Sequence, residues 1–225
     1  MPMLEIEGLT KDYNLGKTKV NALRGIDMTI EKGEFMTVAG PSGSGKTTLL
    51  NIIGCLDTPT GGHVLLDGER IDELSEGSKT LLRREKLGFI FQSFNLIPVL
   101  TAYENAELPL LLIKKASSYR KQRVKEVLER VGLGDYMKHR PDELSGGQRQ
   151  RVAIARSIIS HPEIIIADEP TANLDSETGN SIITLMKDIN EGEKTTFIFS
   201  THDPRMMEHV TRRVDIVDGK VSSRE

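Results

Sequence analysis

The stretch Gly40-Pro41-Ser42-Gly43-Ser44-Gly45-Lys46-Thr47 has the residue types and spacing to hold a polyphosphate. Its fixed positions are Gly40, Gly45, Lys46 and Thr47, the pattern of a phosphate-binding loop. Glycines let the backbone wrap closely round an anion and adopt positive φ. The amides so exposed, and the N-terminus of the helix that follows, then face negative charge. Lys46 adds a point charge toward the β- and γ-phosphates, and the Thr47 hydroxyl can ligate Mg²⁺. Pro41, Ser42, Gly43, Ser44 and Thr48 complete the cradle. The bland alternative is a glycine-rich turn; the apolar run before the loop and the helix after it favour the cradle.

Hydrolysis needs more than a cradle. Asp168 ends the apolar run Ile164-Ile165-Ile166-Ala167, where its carboxylate can reach the Mg²⁺ shell of a bound triphosphate. Glu169, one residue on, can polarise an attacking water as general base. An acidic pair that is merely solvated is the competing reading, and the four apolar residues before it in a chain with a phosphate loop weigh against it. A guanine-reading motif and a lid for a small-molecule kinase are both missing from the sequence. Leu144-Ser145-Gly146-Gly147-Gln148 precedes another helix. Ser145 either simply caps that helix, or the helix N-terminus is a second anion-binding end.

These groups must be held by a particular arrangement of elements. Met3–Leu9 and Ala22–Ile30 alternate apolar and polar residues, as half-buried antiparallel strands do, and 34–39 reads as a more buried strand. The apolar run Leu49–Leu56 reads as the helix after the loop, and short strands are expected at 61–68 and 87–92. From about 93 to 160 the pattern becomes helical: Thr101 caps one helix, and Val124, Val127, Leu128 and Val131 lie at helical spacing in the next. Ile164–Asp168 reads as a central parallel strand, 176–190 as a helix and 195–200 as another strand. The expected class is α/β, a P-loop NTPase (RecA-like) core of parallel strands with an N-terminal antiparallel β subdomain and an inserted helical subdomain. A single domain over 1–225 is expected, with a core lobe at about 1–92 and 161–225 and a helical lobe at about 93–160.

Composition narrows the function classes. In 225 residues there are 30 Lys and Arg against 33 Asp and Glu, a net charge of -3, which gives no electrostatic reason to expect nucleic acid as a partner. No run of 18 apolar residues predicts a membrane span, and the N-terminus does not read as a secretory signal. The single cysteine, Cys55, reads as a small core residue.

Taken in order, GPSGSGKT (40–47), Gln92, LSGGQ (144–148), IIIADE (164–169), ANLD (172–175) and His202 resemble the ATP-binding cassette (ABC) ATPases over nearly the whole chain. The resemblance implies that ATP and Mg²⁺ are the ligands. It places Tyr13 where an aromatic stacks on adenine, the alternative being a strand-end tyrosine. It assigns Gln92 to the Q-loop, near Mg²⁺ and the attacking water, and Asp168 and Glu169 to the Mg²⁺-associated aspartate and catalytic base. Asp175 falls in the D-loop at a dimer interface, and His202 is the switch histidine that contacts the γ-phosphate. Two copies would pair head to tail, each ATP lying between the phosphate loop of one and Ser145, Gly146, Gly147 and Gln148 of the other.

The segments Phe91–Pro98, Glu104–Asn105, Leu108–Leu110 and Ile53–Asp57 resemble the lipoprotein-release and macrolide-exporter branch. That implies a separate integral-membrane permease as partner, with this subunit in the cytoplasm, peripheral on the inner face of the cell membrane. The alternative is a nucleotide-gated regulatory ATPase on a non-transporting membrane partner, as in cell division.

Overall fold

A computed structural model describes residues 2–16, 18–201 and 203–224. His202, the expected switch histidine, lies outside the described residues. Contacts divide the chain into two compact units, Met1–Arg83 with Thr196–Glu225, and Arg84–Thr195.

In the first unit, β1 (Leu4–Leu15) pairs antiparallel with β2 (Thr18–Ile30) and with β4 (Gly61–Leu66), to which β5 (Glu69–Arg70) is added. Leu4, Ile6 and Leu9 are all buried, as are Leu23, Ile26, Met28 and Ile30. Strict alternation cannot deliver both Ile6 and Leu9, or both Ile26 and Leu23, to one face. The ladder slips by a residue at Gly8 and again at Gly25, both with positive φ. Each bulge re-phases its strand and returns the apolar residues to the core. β1 runs past the expected Leu9 because its polar second half pairs with the exposed start of β2, and neither stretch has the apolar residues that would show alternation.

β3 (Phe35–Ala39), buried at every residue, lies parallel to β8 (Thr196–Ser200) and β9 (Arg212–Val217); β10 (Lys220–Arg224) pairs antiparallel with β9. Phe35 meets Phe199 edge-on at 4.6 Å between ring centroids, and Phe197 completes the cluster. Between β3 and β4 the chain forms α1 (Lys46–Ile53), which buries Leu49, Leu50, Ile52 and Ile53. The helix begins three residues before the apolar run that marks it in the sequence. α2 (Glu76–Glu85) follows β5, and the short α7 (Pro204–Met207) precedes β9.

In the second unit β6 (Leu87–Ile90) lies parallel to β7 (Ile164–Asp168). Between them run α3 (Ala102–Leu112), α4 (Ser117–Arg130) and α5 (Gly146–Ile158), and after β7 comes α6 (Ser176–Glu193). Thr101 and Glu104 close a reciprocal cap on α3. Val124, Val127 and Leu128 of α4 and Val152, Ile154 and Ile158 of α5 are fully buried. Arg123 donates to the Ile159 carbonyl at 3.3 Å, which satisfies an acceptor at the end of α5. Parallel strands joined through helices, with an antiparallel sheet at the N-terminal side, make this an α/β P-loop fold.

β6 and α5 approach closely at Gly88, where a Cβ would lie 2.5 Å from the Ser157 carbonyl oxygen and 3.1 Å from Ile165. Gly88→Ala is therefore expected to lower stability by roughly 1–3 kcal/mol, the usual cost of overpacking a filled site. A thermal melt of the purified variant checks this, and an unchanged midpoint refutes the close-approach argument.

Candidate functional site

The phosphate loop follows the buried strand β3 and enters α1 in the first unit. Gly40 has φ 144, and a Cβ there would fall 2.1 Å from the Ile216 carbonyl oxygen, so only glycine fits. Gly45 is the N-cap of α1; no side chain caps this helix and its first turn holds no acidic residue. The helix end thus carries no capping or acidic side chain of its own to compete with an anion. Lys46 bends back over the loop, its Nζ donating to the carbonyls of Gly40 at 2.9 Å and Pro41 at 2.8 Å. Ser44 Oγ is buried and has no hydrogen-bond partner among the described residues. An orphaned hydroxyl, glycine-lined backbone and an uncapped helix end all fit a bound phosphate chain.

Tyr13 is half-buried on β1 in the same unit. Its hydroxyl donates to Asp57 Oδ2 at 2.7 Å. Burial, and then the Asp57 carboxylate, push the phenol above its ordinary range. Burial alone would raise the Asp57 carboxyl too, but hydrogen bonds from Lys11, Tyr13 and the Thr58 amide outweigh it and hold it below the usual carboxylate range.

The second unit brings together Gln92, the loop after β7 and the start of α5. Asp168 is the last residue of β7, half-buried after four buried positions. Glu169 has φ 46, so the chain turns sharply as it leaves the strand. Gln150, fully buried on α5, donates to the Pro170 carbonyl at 2.6 Å, and Asn173 donates to the Gln92 carbonyl at 2.9 Å. Past Gln92, both Phe94 (φ 61) and Asn95 (φ 48) are left-handed. Arg156 of α5 donates to their carbonyls, at 2.8 and 2.6 Å, and Arg149 lies over the Phe94 ring at 5.5 Å. Burial lowers the pKa of Arg156.

At the N-terminus of α5 the cap is formed. Ser145 Oγ accepts from the Gln148 amide at 3.2 Å, and Gln148 accepts from the Ser145 amide at 2.8 Å. The amides of Gly146 and Gly147 take no part in it. Gly147 packs tightly on α6: a Cβ there would meet Thr178 at 2.4 Å. Asp175 caps α6, accepting from the Thr178 amide at 2.9 Å, and that backbone bond heads the causes that lower its pKa. Among the described residues no three His, Cys, Asp or Glu side chains gather as a metal site. A cation here would draw most of its ligands from phosphate and water, which is how Mg²⁺ is usually held.

Sequence reasoning did not find Gln150, Asn173, Arg149 or Arg156, nor the partnership of Lys11 with Asp57. Gln150 carried a signal, a polar residue on the face of α5 that holds Ala153, Ile154 and Ile158. The arginines carried none, because their partners, two backbone carbonyls for Arg156 and the Phe94 ring for Arg149, lie in a distant loop.

The sequence profile described as ABC transporter matches residues 23–172. An ABC transporter ATP-binding protein of Thermotoga maritima is 48% identical over 223 residues, covering 99% of this chain and 95% of that protein. The macrolide export ATP-binding/permease protein MacB of Bdellovibrio bacteriovorus is 44% identical over 99% of this chain, which spans 34% of MacB. The cassette MJ0796, from Methanocaldococcus jannaschii, has been solved as a dimer in a post-hydrolysis state bound to ADP and Pi. It superposes with a TM-score of 0.92 at 44% identity, covering 99% of this chain and 98% of that one.

The Asp57 cluster makes an acid-stability prediction. Its carboxyl is harder to protonate in the folded chain than in the unfolded one, so its contribution is present above the unfolded pKa of about 3.9 and is lost as pH falls through the lower folded value. Melting curves of the native chain are expected to be flat down to about pH 5 and to fall below about pH 4. Asp57→Asn should start from a lower plateau and show a shallower acid limb; parallel limbs would count against the cluster.

Proposed function

The chain belongs to the ABC transporter family, and from that we propose that it is the ATP-binding and ATP-hydrolysing subunit of a transporter of the lipoprotein-release or macrolide-exporter type. The observation that carries this is the pairing of a glycine-built, uncapped phosphate loop at 40–47 with an intact LSGGQ motif at the head of α5. The match to ABC transporter ATP-binding proteins supports an ATPase subunit acting on a membrane permease. The macrolide-export relatives support the kind of permease. No helix among the described residues is long and apolar enough to cross a membrane; we place the subunit on the cytoplasmic face, bound to that permease.

In this reading the backbone amides of 40–45 and the first turn of α1 bind the phosphates, and Lys46 swings from the Gly40 and Pro41 carbonyls to the β- and γ-phosphates. Thr47, Gln92 and Asp168 serve Mg²⁺. When bound, the ion supplies charge neutralisation on the phosphate oxygens. The Glu169 carboxylate accepts a proton from the attacking water, and Gln92 and His202 orient water and γ-phosphate. Tyr13 stacks on the adenine. Ser145, Gly146, Gly147 and Gln148 of a second copy close over the phosphates, and Asp175 lies at the junction of the two copies. The Ser145–Gln148 cap leaves the Gly146 and Gly147 amides outside its own hydrogen bonds, which supports such a role. The helices of 93–160 form the lobe that faces the permease. Because a nucleotide gripped by two copies binds only their closed pair, it stabilises that pair by linkage.

Glu169→Gln is expected to cut steady-state ATPase by roughly 10²–10⁴-fold, the range for losing a general base. It should leave ATP bound and shift the protein to a dimer in gel filtration when ATP is present. Full turnover in this variant refutes the base assignment. Lys46→Ala should lose nucleotide affinity, and unchanged ATP binding by calorimetry would count against the cradle.

A further inference from the structure

The Lys11, Tyr13 and Asp57 side chains form a closed cluster of which the steps above use only the Tyr13 ring. Asp57 Oδ1 accepts from Lys11 Nζ at 2.6 Å and from the Thr58 amide at 2.7 Å, and Oδ2 accepts from the Tyr13 hydroxyl at 2.7 Å. Lys11 Nζ also donates to the Thr58 carbonyl at 2.6 Å, and the lysine is only 9% exposed. The carboxylate therefore has no freedom to turn: three donors from three residues hold its two oxygens. β1 is stitched to the same loop through the backbone, since the Thr60 amide donates to the Thr10 carbonyl and the Asp12 amide to Thr60 Oγ1, both at 2.9 Å.

Two further contacts give this cluster a direction. The Lys11 ammonium lies 4.8 Å from the centroid of the Tyr13 ring, so cation–π attraction occupies one face of that ring. The Asp57 amide donates to the Asn51 carbonyl at 3.2 Å, which links the cluster to α1. The ring is fixed in tilt by its hydroxyl, blocked on one side by a cation, and tied through Asp57 to the helix whose N-terminus carries the phosphate loop.

We propose that Asp57 is a positioning residue for base recognition: clamped by Lys11, it sets Tyr13 as a one-sided platform at a fixed span from the phosphate cradle, selecting a nucleotide over a bare polyphosphate. The inference rests on the reading that Tyr13 stacks on adenine. A ring free to rotate would have to be ordered on binding, whereas a ring held in advance avoids that cost. It also explains the hydroxyl, since a phenylalanine would stack as well but could not be tied to Asp57.

The test compares ATP with inorganic tripolyphosphate, which lacks the base, by isothermal titration of the full chain. Asp57→Ala and Tyr13→Phe should each weaken ATP binding roughly three- to tenfold, the range expected when one contact side chain loses its pre-organisation. Tripolyphosphate affinity should change by less than about twofold, since a bare polyphosphate makes no stacking contact for the clamp to pre-organise. Tyr13→Ala should erase most of the preference for ATP over tripolyphosphate. If Tyr13→Ala erases the preference while Asp57→Ala and Tyr13→Phe keep it, the clamp is refuted and the stacking survives. If Tyr13→Ala keeps it, the stacking fails and the inference falls with it. Parallel loss of both ligands in Asp57→Ala and Tyr13→Phe marks a merely structural cluster and overturns the proposal. Should Asp57→Ala not fold, Tyr13→Phe decides alone.

Discussion

A helix N-terminus without a capping side chain is the constraint on which the first unit is built. α1 starts at Lys46 with glycine as its cap, no capping side chain and no acidic residue in the first turn. The helix dipole concentrates partial positive charge at that end, and no side chain of the cap or the first turn neutralises it. The surroundings keep that arrangement in place. β3, buried along its whole length, delivers the loop, and the Ile216 carbonyl presses so near to Gly40 that no side chain fits there. Lys46 meanwhile rests on two loop carbonyls. A loop fixed this firmly in advance loses little freedom when it takes up a phosphate chain.

The second unit solves a different problem, how to hold irregular backbone in place. The residues of interest there lie at strand ends and in loops: Gln92 after β6, Asp168 and Glu169 at the end of β7, Asp175 before α6. α5 fastens several of these loops. Gln150 ties down Pro170, Arg156 ties down Phe94 and Asn95, and Arg149 covers the Phe94 ring. Asn173 joins the loop after β7 to Gln92. Nearly all these bonds end on main-chain carbonyls. Arg156 therefore spends a buried charge on holding backbone, a cost that makes sense where two consecutive left-handed residues would otherwise relax. The helix that carries Ser145 at its head thus also sets the course of the loops that carry Gln92 and Glu169.

Much of this was legible in the residues themselves. Helix α4 is written in the spacing of Val124, Val127 and Leu128, the cap of α3 in Thr101 and Glu104, and the buried strand β7 in three consecutive isoleucines. The bulges at Gly8 and Gly25 were not legible, because a sequence shows that alternation breaks without showing which residue is set aside. The outer half of the β1–β2 hairpin was missed for a related reason: residues 10–14 and 18–21 are polar apart from Tyr13 and Val20, so they show no apolar period even where, as at Lys11, the side chain is buried. Asp57 looked like a feature of one branch of the family, and its place beneath Tyr13 depends on a loop that returns to β1 some forty residues later in the chain.

The sequence by itself determined the chemistry: which residues could cradle phosphate, which carboxylates could act on water, and which motif stood at the head of a helix. Those properties belong to residue types and local spacing, and local spacing is what a linear chain records. Only the tertiary structure decided how the groups are held. The Lys11–Asp57–Tyr13 clamp, the arginines that pin the backbone after Gln92 and the close approach at Gly88 all join residues far apart in the chain. Such contacts exist only once the strands have paired and the helices have packed, because hydrogen bonds and steric exclusion act over a few ångströms of space, whatever the distance along the polypeptide.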